Sequence, residues 1–241
     1  MALFKELSGE LCYRYVTPEP YHDHEKLRRA IFRAIEDGEQ TLIVNHFWYP
    51  EIRYGEMTGG WNGSSEVVAY MNVVREPADR AVSDYYYLRH GSDRNPRARA
   101  AYVEEHGDLP MEACYFGDVA SCRVARDVQA DYFCGREGHP CHDEANYQLK
   151  ERLALANMDA FYTVGVNERF EETVRMLEGT YPAFFAGLVD KYRDGGHANR
   201  NANRGNASAA LLAGLRRDNA IDGELWRRAN ARLDAWMGAC G

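Results

Sequence analysis

Three side chains in the first half of the sequence have the chemical types needed to bind an anion and to accept a proton. Arg75 follows the apolar run EVVAYMNVV, and Pro77 just behind it suits the first turn of a helix. A guanidinium beside a helix N-terminus attracts anions, and Ser83, about two turns further on, adds a hydroxyl donor. His46 lies near the end of another apolar run, TLIVNHF, and a neutral imidazole can act as a base near neutral pH.

Arg75 and His46 also have ordinary structural interpretations. Arg75 would pair with Glu76 or Asp79 at the surface, and His46 would be a core histidine bonded to a neighbouring carbonyl. Residue types alone favour these structural roles, because arginines are common in this chain and a single histidine does not make a site. The elements that carry the side chains give the stronger argument.

Helices alternate with near-continuous apolar strands along the chain. Helices are predicted over 23–39, 77–89, 146–158, 168–188 and 209–238, and strands over 41–47, 66–74 and 160–166. This order is typical of an α/β fold with a parallel sheet flanked by helices, in which ligands bind beyond the carboxyl ends of the strands. His46 and Arg75 are then expected at the same edge of the sheet.

Length, hydropathy and charge limit the class of protein. With 241 residues, 45% of them hydrophobic, the chain is expected to form a single domain over 1–241, with a less regular region over 91–143. No apolar run is long enough to cross a bilayer, and the first residues lack the features of a signal peptide, so this segment is expected to make no membrane contact. The net charge of −8 argues against nucleic acid as a partner.

Six cysteines include two closely spaced pairs, Cys114 with Cys122 around YFGDVAS and Cys134 with Cys141 around GREGHP. Both pairs close short polar loops, which favours two local disulfides in an oxidising compartment. The competing interpretation is a zinc site that uses His139 and His142 beside Cys141. Because the spacings fit no common zinc motif, disulfides are favoured and no metal is predicted.

Two acceptor triplets for N-glycosylation, at Asn62 and Asn206, also favour an oxidising compartment, although such triplets arise by chance as well. The sequence leaves the state of Cys12 and Cys240 open.

The segment NVVREPADRAVSDYYYLRHG closely resembles the 3′-phosphate-binding segment of the Golgi glycosaminoglycan 2-O-sulfotransferases, the heparan sulfate and uronyl 2-O-sulfotransferases. In that family an apolar strand ends in an Arg-acidic-Pro triplet, and a Ser-then-Tyr run follows on the helix. The resemblance implies that Arg75 and Ser83 bind the 3′-phosphate of the sulfate donor, 3′-phosphoadenylyl sulfate. TLIVNHFWY is similar to the family strand whose terminal histidine is the catalytic base, here His46.

Further segments extend the resemblance over most of residues 3–195. CYFGDVASC and DYFCGREGHPC look like the two disulfide loops of the family, and FYTVGVNERFEETVRMLEGTYPAFF is similar to its late strand and helix. The resemblance implies a P-loop-NTPase-like sulfotransferase fold. It also implies in-line sulfuryl transfer to a sugar hydroxyl of a uronic-acid-containing polysaccharide, with His46 taking the hydroxyl proton.

Two arginine-rich stretches resemble the family's substrate-contacting segments. RHGSDRNPRAR follows the phosphate helix, and HANRNANRGN lies near the position of the family's late basic loop. The resemblance implies an acidic polysaccharide acceptor contacted by Arg94, Arg97, Arg200 and Arg204. The alternative for each of these arginines is a solvated charged face.

One family feature is not found in this sequence. The family holds the 5′-phosphosulfate with a Pro-Lys-(Thr/Ser) loop between its first strand and first helix, and none of the four lysines here sits in such a turn. ALFKELSGELCYRYV resembles the family's first helix, so the chain is expected to lack the first strand and the 5′-phosphosulfate loop. It is then either a fragment of an active enzyme, which is favoured, or a degenerate relative.

The chain as given is therefore expected to be weakly active or inactive. The resemblance implies the Golgi lumen of the secretory pathway, with a membrane anchor upstream of this chain, and leaves oligomer formation open. The alternative is a non-catalytic relative that binds a nucleotide or a glycan. A nucleotide kinase is less favoured, because the phosphate-loop lysine and an acidic metal ligand are not found.

Overall fold

The computed structural model describes residues 14–16, 24–38, 40–44, 69–91, 96–117, 126–136, 138–195 and 207–240. The chain divides into two compact units. The first unit takes the chain up to Val74, the segment Gln129–Gly196 and the residues from Arg228 onward; the second takes Arg75–Val128 and His197–Arg227. The single domain expected over 1–241 stays a prediction.

The described strands are short, and helices dominate. The strands are β1 (Arg14–Val16), β2 (Thr41–Ile43), β3 (Tyr70–Val74) and β4 (Tyr162–Val166). The helices are α1 (His24–Asp37), α2 (Pro77–Tyr86), α3 (Pro96–His106), α4 (Met111–Phe116), α5 (Val128–Cys134), α6 (Tyr147–Phe161), α7 (Phe170–Thr180), α8 (Pro182–Phe185), α9 (Leu188–Gly195), α10 (Ala209–Asp218) and α11 (Ala220–Cys240). None of the helices in the described part of the chain has the length and apolar content to cross a membrane.

All four described strands lie in the first unit and pair in parallel, as the α/β pattern predicts. β1 pairs with β2, and β3 pairs with β4 from Tyr70↔Tyr162 to Val74↔Val166. Within the described residues these are two separate pairs, so the strand predicted to carry His46 and the strand before Arg75 are not hydrogen-bonded neighbours there.

Several predicted element bounds are wrong. Residues 14–16 were expected within a helix, but Arg-Tyr-Val forms a strand because it pairs with β2. The predicted helix over 168–188 is divided into α7, α8 and α9, since Pro182 starts a new turn and Gly187 has φ +80°. The region 91–143, expected to be less regular, contains α3, α4 and α5.

The core of the first unit lies between β2 and the helices that follow β4. Leu42 packs with Val174 and Leu177 of α7, and Phe185 and Leu188 complete the cluster. These apolar side chains are all buried, which keeps the helices packed against the strand layer.

α7 approaches the end of β4 unusually closely. A Cβ built at Gly165 would lie 2.1 Å from Thr173 Cγ2, so only glycine fits at this position. The fully buried Thr173 hydroxyl accepts a hydrogen bond from the Val166 N–H (2.8 Å) and lies 3.0 Å from the Val166 carbonyl oxygen, to which it donates. The contact ties the start of α7 to the last residue of β4.

An arginine in the C-terminal part of α11 bonds to the end of α6 within the first unit. Arg232 Nη1 donates to the Met158 carbonyl (2.9 Å), and its Nη2 donates to the Asp159 carbonyl (2.9 Å). Both carbonyls belong to the last turn of α6, where helical N–H donors run out; the Met158 carbonyl also accepts the Tyr162 N–H just beyond the helix. Arg232 therefore caps α6 from a distant part of the sequence.

The core of the second unit forms around α2. Ala78, Ala81, Val82 and Tyr85 recur at helical spacing and are buried, and they pack with Met111, Cys114, Leu211 and Leu215. α2 therefore lies against α4 and α10. After Tyr86 the chain continues as a π-helical turn over Tyr87–Gly91.

Candidate functional site

The candidate site is the start of α2, where the chain leaves β3. Val74 is the last residue of β3 and is 1% exposed, and Arg75 follows it directly. Pro77 occupies the first helical turn, where its missing N–H costs no helical hydrogen bond. Arg75 therefore sits just before the first N–H groups of the helix, as the sequence predicts.

Glu76 caps this helix. Its Oε2 accepts a hydrogen bond from the Asp79 N–H (2.8 Å), and its Oε1 accepts one from Arg216 Nε (2.9 Å). The Glu76 side chain is 14% exposed. The carboxylate thus binds the helix N-terminus on one side and an arginine from α10 on the other.

Ser83 lies on the side of α2 that faces away from the buried row. It is half-buried, whereas its neighbours Val82 and Tyr85 are buried in the core cluster. With a rise of 1.5 Å per residue, Ser83 lies about 9 Å along the helix axis from Pro77. Arg75 is also half-buried, and both residues belong to the second unit.

The other predicted site residues are not described by the structure. His46, Arg94, Arg200 and Arg204 lie outside the described residues, and so does Cys122. Arg97 lies in α3, but its side chain is not among the described ones. The predicted meeting of His46 and Arg75 at one sheet edge therefore stays a prediction.

The three consecutive tyrosines at the end of α2 and the start of its π-helical continuation have different surroundings. Tyr85 is buried and donates from its hydroxyl to the Leu109 carbonyl (2.7 Å), whereas Tyr87 is 49% exposed. Burial raises the pKa of Tyr85, an effect that the nearby Arg89 partly offsets.

Arg89, which begins the basic stretch after α2, is a core residue. It is 2% exposed, and its guanidinium carbon lies 3.6 Å from the centroid of the Tyr85 ring. Its Nε donates to the Gly107 carbonyl (3.1 Å). Arg89 therefore stabilises the second unit through a buried cation–π contact and is not a surface contact for a polyanion.

Five of the described arginines toward the C-terminus pair with acidic residues. The pairs are Arg193 with Glu171, Arg216 with Glu76, Arg227 with Glu224, Arg228 with Asp159 and Arg232 with Asp159. Hydrogen bonds from Arg193 and Arg175 hold the pKa of Glu171 below its usual value. These five described arginines therefore serve internal ion pairs.

A disulfide joins Cys134 and Cys141, with a Cα–Cα distance of 6.2 Å. Cys114 is also disulfide-bonded. His142 lies beside the Cys134–Cys141 bridge, and one ligand atom from each of these three residues falls within 4.8 Å of the others. Because the two sulfurs are bonded to each other, they are not available as thiolate ligands, and the zinc alternative does not fit this state.

Sequence reasoning missed a buried polar cluster in the second unit. Asp127, at φ +48°, accepts a hydrogen bond from the Asp222 N–H (2.9 Å) and donates its own N–H to Asn219 Oδ1 (2.8 Å). Arg80 of α2 lies 3.9 Å from the Asp222 carboxylate. The cluster caps the start of α11 and separates it from α10, where a single helix over 209–238 was predicted. No local pattern signals it, because its members lie far apart in sequence.

Comparison with known proteins gives a consistent set of relatives. Heparan sulfate 2-O-sulfotransferase 1 of Gallus gallus is 28% identical over 165 residues, which cover 67% of this chain and 44% of that protein. The Homo sapiens protein of the same name is 30% identical over 128 residues, which cover 52% of this chain and 35% of that protein. Heparan sulfate 2-O-sulfotransferase hst-2 of Caenorhabditis elegans is 32% identical over 136 residues, covering 54% and 40%.

The matched part of this chain spans less than half the length of these curated relatives. No protein-family model matches the chain.

Proposed function

This chain is related to the glycosaminoglycan 2-O-sulfotransferase family, and from that relationship we propose that it serves in sulfuryl transfer from 3′-phosphoadenylyl sulfate to a sugar hydroxyl. The proposed acceptor is a uronic-acid-containing polysaccharide. The observation that carries the proposal is the similarity over 165 residues to a protein named for this reaction on heparan sulfate.

In this proposal, Arg75 and Ser83 bind the 3′-phosphate of the donor. The described start of α2 supports this role, because the first N–H groups of a helix and an adjacent guanidinium both attract anions. Arginine suits phosphate better than lysine does, since its planar fork can donate two parallel hydrogen bonds. Ser83 adds a neutral donor on a half-buried helix face.

His46 is the proposed general base. As the sugar oxygen forms its bond to sulfur, the bond from sulfur to the bridging phosphate oxygen breaks, and the hydroxyl proton moves to the imidazole. The second product is adenosine 3′,5′-bisphosphate. A neutral histidine is suited to this step because it can hold the proton and then release it to solvent near neutral pH.

We place the protein in the secretory pathway, in the Golgi lumen where its proposed substrates are found. The disulfide between Cys134 and Cys141 supports an oxidising compartment. The proposed partner is the acidic polysaccharide acceptor.

Nucleotide binding is the first test, because it does not require the chain to complete the reaction. Isothermal titration with adenosine 3′,5′-bisphosphate is expected to show saturable binding. Arg75→Ala should weaken it about tenfold to a hundredfold, the range for losing a hydrogen bond to a charged group. Ser83→Ala should weaken nucleotide affinity less, about twofold to tenfold. Arg227→Ala is the matched control, since Arg227 pairs with Glu224 on α11 and its side chain is 66% exposed.

Transfer of labelled sulfate from the donor to desulfated uronic-acid polysaccharides tests the reaction itself. His46→Ala should abolish any transfer while leaving nucleotide affinity close to that of the parent. Binding without transfer in the parent chain fits both the non-catalytic relative and an enzyme chain that lacks the 5′-phosphosulfate loop, so nucleotide binding carries the test of the phosphate site. No nucleotide binding by the parent, or full affinity in Arg75→Ala, would contradict the proposed phosphate site.

A further inference from the structure

Glu76 creates an electrostatic conflict at the proposed phosphate site. Its carboxylate caps α2 by accepting the Asp79 N–H, yet it follows Arg75 directly in the chain. A negative charge at a helix N-terminus competes with a bound anion for the same donors and repels it. A phosphate site at this helix start therefore needs the charge of Glu76 to be offset.

Arg216 supplies that offset from 140 residues away. Its Nε donates to Glu76 Oε1 at 2.9 Å, while the other carboxylate oxygen serves the helix. Because the Glu76 side chain is only 14% exposed, water screens its charge less than it would on an open surface. The Arg216 guanidinium thus brings a positive charge into direct contact with the Glu76 carboxylate.

The packing of α10 on α2 fixes the position of the Arg216 backbone. Leu211 and Leu215 of α10 are fully buried in the same cluster as Ala78 and Val82 of α2. Arg216 is the residue after Leu215, in the last turn of α10. The apolar contact between the helices therefore brings the Arg216 side chain within hydrogen-bonding distance of the start of α2.

We infer that Arg216 is a positioning residue for 3′-phosphate binding: it holds the Glu76 cap in place and offsets the carboxylate charge beside Arg75. This role rests on the proposed function, because it concerns the same phosphate site. Arg216 acts on the ligand through Glu76, so its removal exposes a repulsive charge and loosens the start of the helix that carries the site.

Arg216→Ala is expected to weaken the affinity for adenosine 3′,5′-bisphosphate about twofold to fivefold, the range for a partly exposed ion pair. Arg216→Lys should recover part of the loss, because it restores the charge without the fixed Nε geometry. Affinity for adenosine 5′-monophosphate, which has no 3′-phosphate, should change less. The titration therefore reports on the phosphate and not on general packing.

The decisive measurement is the same substitution in a Glu76→Gln background. Glutamine keeps an oxygen for the Asp79 N–H but carries no charge, so Arg216→Ala should then have a clearly smaller effect on affinity. A purely structural role for Arg216 predicts equal losses in both backgrounds. Arg227→Ala, which removes an exposed arginine of the same unit, should leave affinity unchanged and controls for net charge.

The outcomes separate this inference from the proposed function. If the parent chain does not bind the bisphosphate, the proposed function is wrong and the role of Arg216 goes with it. The inference alone is overturned in a second case, in which the parent binds and Arg75→Ala weakens binding. In that case Arg216→Ala either binds as tightly as the parent or loses the same affinity in the parent and the Glu76→Gln backgrounds.

Discussion

Gly165→Ala is expected to destabilise the first unit, because a methyl group at this position has no room. The new Cβ would lie 2.1 Å from Thr173 Cγ2 and 2.9 Å from its Oγ1, well inside van der Waals contact. Thr173 is fully buried and bonds through its hydroxyl to both backbone groups of Val166, so it has little freedom to move away.

Two responses of the structure to the added methyl group are available, and both are costly. If α7 shifts away from β4, the overpacked contact costs about 1–3 kcal/mol. If Thr173 rotates instead, the buried Val166 N–H loses its partner at a cost of about 1–3 kcal/mol. Alanine's smaller backbone entropy loss returns about 0.5–1 kcal/mol. We expect a net loss of about 1 kcal/mol in the free energy of unfolding.

Equilibrium urea denaturation followed by circular dichroism measures this loss. Thr173→Ser is the matched second change, because it removes Cγ2 and keeps the hydroxyl. The cost of Gly165→Ala should be clearly smaller in the Thr173→Ser background, because the closest contact, that with Cγ2, is removed. Gly223→Ala, where nothing lies within 4 Å of the added Cβ, should leave the protein as stable or slightly more so. An unchanged midpoint for Gly165→Ala, or an equal cost beside Ser at position 173, would refute the close-approach argument.

Three further predictions concern ion pairs, titration and the disulfide. Arg232→Ala should lower the free energy of unfolding by about 1–3 kcal/mol, because the Asp159 carbonyl loses its Arg232 donor and the Met158 carbonyl keeps only the Tyr162 N–H. Arg232→Lys should recover part of this loss in the same urea titration. Hydrogen bonds from arginines lower the pKa of both Glu171 and Glu172 in the folded chain. Their contribution to stability is therefore present above the ordinary carboxyl pKa, about 4.3, and is lost as pH falls through the lowered values. Thermal unfolding between pH 7 and pH 3 should show a smaller acid loss for Glu172→Gln than for the parent, and an equal loss would contradict the pairing. Cys134 and Cys141 are 7 positions apart in sequence. Reduction of their disulfide should lower the free energy of unfolding by about 2.5 kcal/mol, because the unfolded chain gains the entropy of the opened loop. The measurement compares unfolding with and without a dithiol reductant, and Cys134→Ser should remove that part of the reductant effect.

Local stereochemistry made the strand-to-helix turn at Arg75 predictable. The β-branched run before it favours a strand, and Pro77 favours a first helical turn, so β3 and the start of α2 appear where the sequence indicates them. The strand predicted over 160–166 corresponds to Tyr162–Val166 for the same reason. The helix predicted over 23–39 corresponds to His24–Asp37, followed by Gly38 at φ +63°.

The breaks inside long apolar patterns were harder to predict. A helical period runs through 209–238, but the chain interrupts it at Asn219, whose side chain bonds the Asp127 backbone instead. Asp127 lies 92 residues earlier, so the signal for the break is not local. Arg89 shows the same limit, since a basic stretch in the sequence hides a guanidinium buried against Tyr85.

Local preferences in the sequence place Arg75 between a strand and a helix, because strand and helix preferences act over a few neighbouring residues. The bonds from Arg216 to Glu76 and from Arg232 to the end of α6 span 140 and 74 residues, so they follow from the packing of the folded chain. Those contacts depend on how helices pack through their apolar faces, which brings together side chains that no local pattern relates.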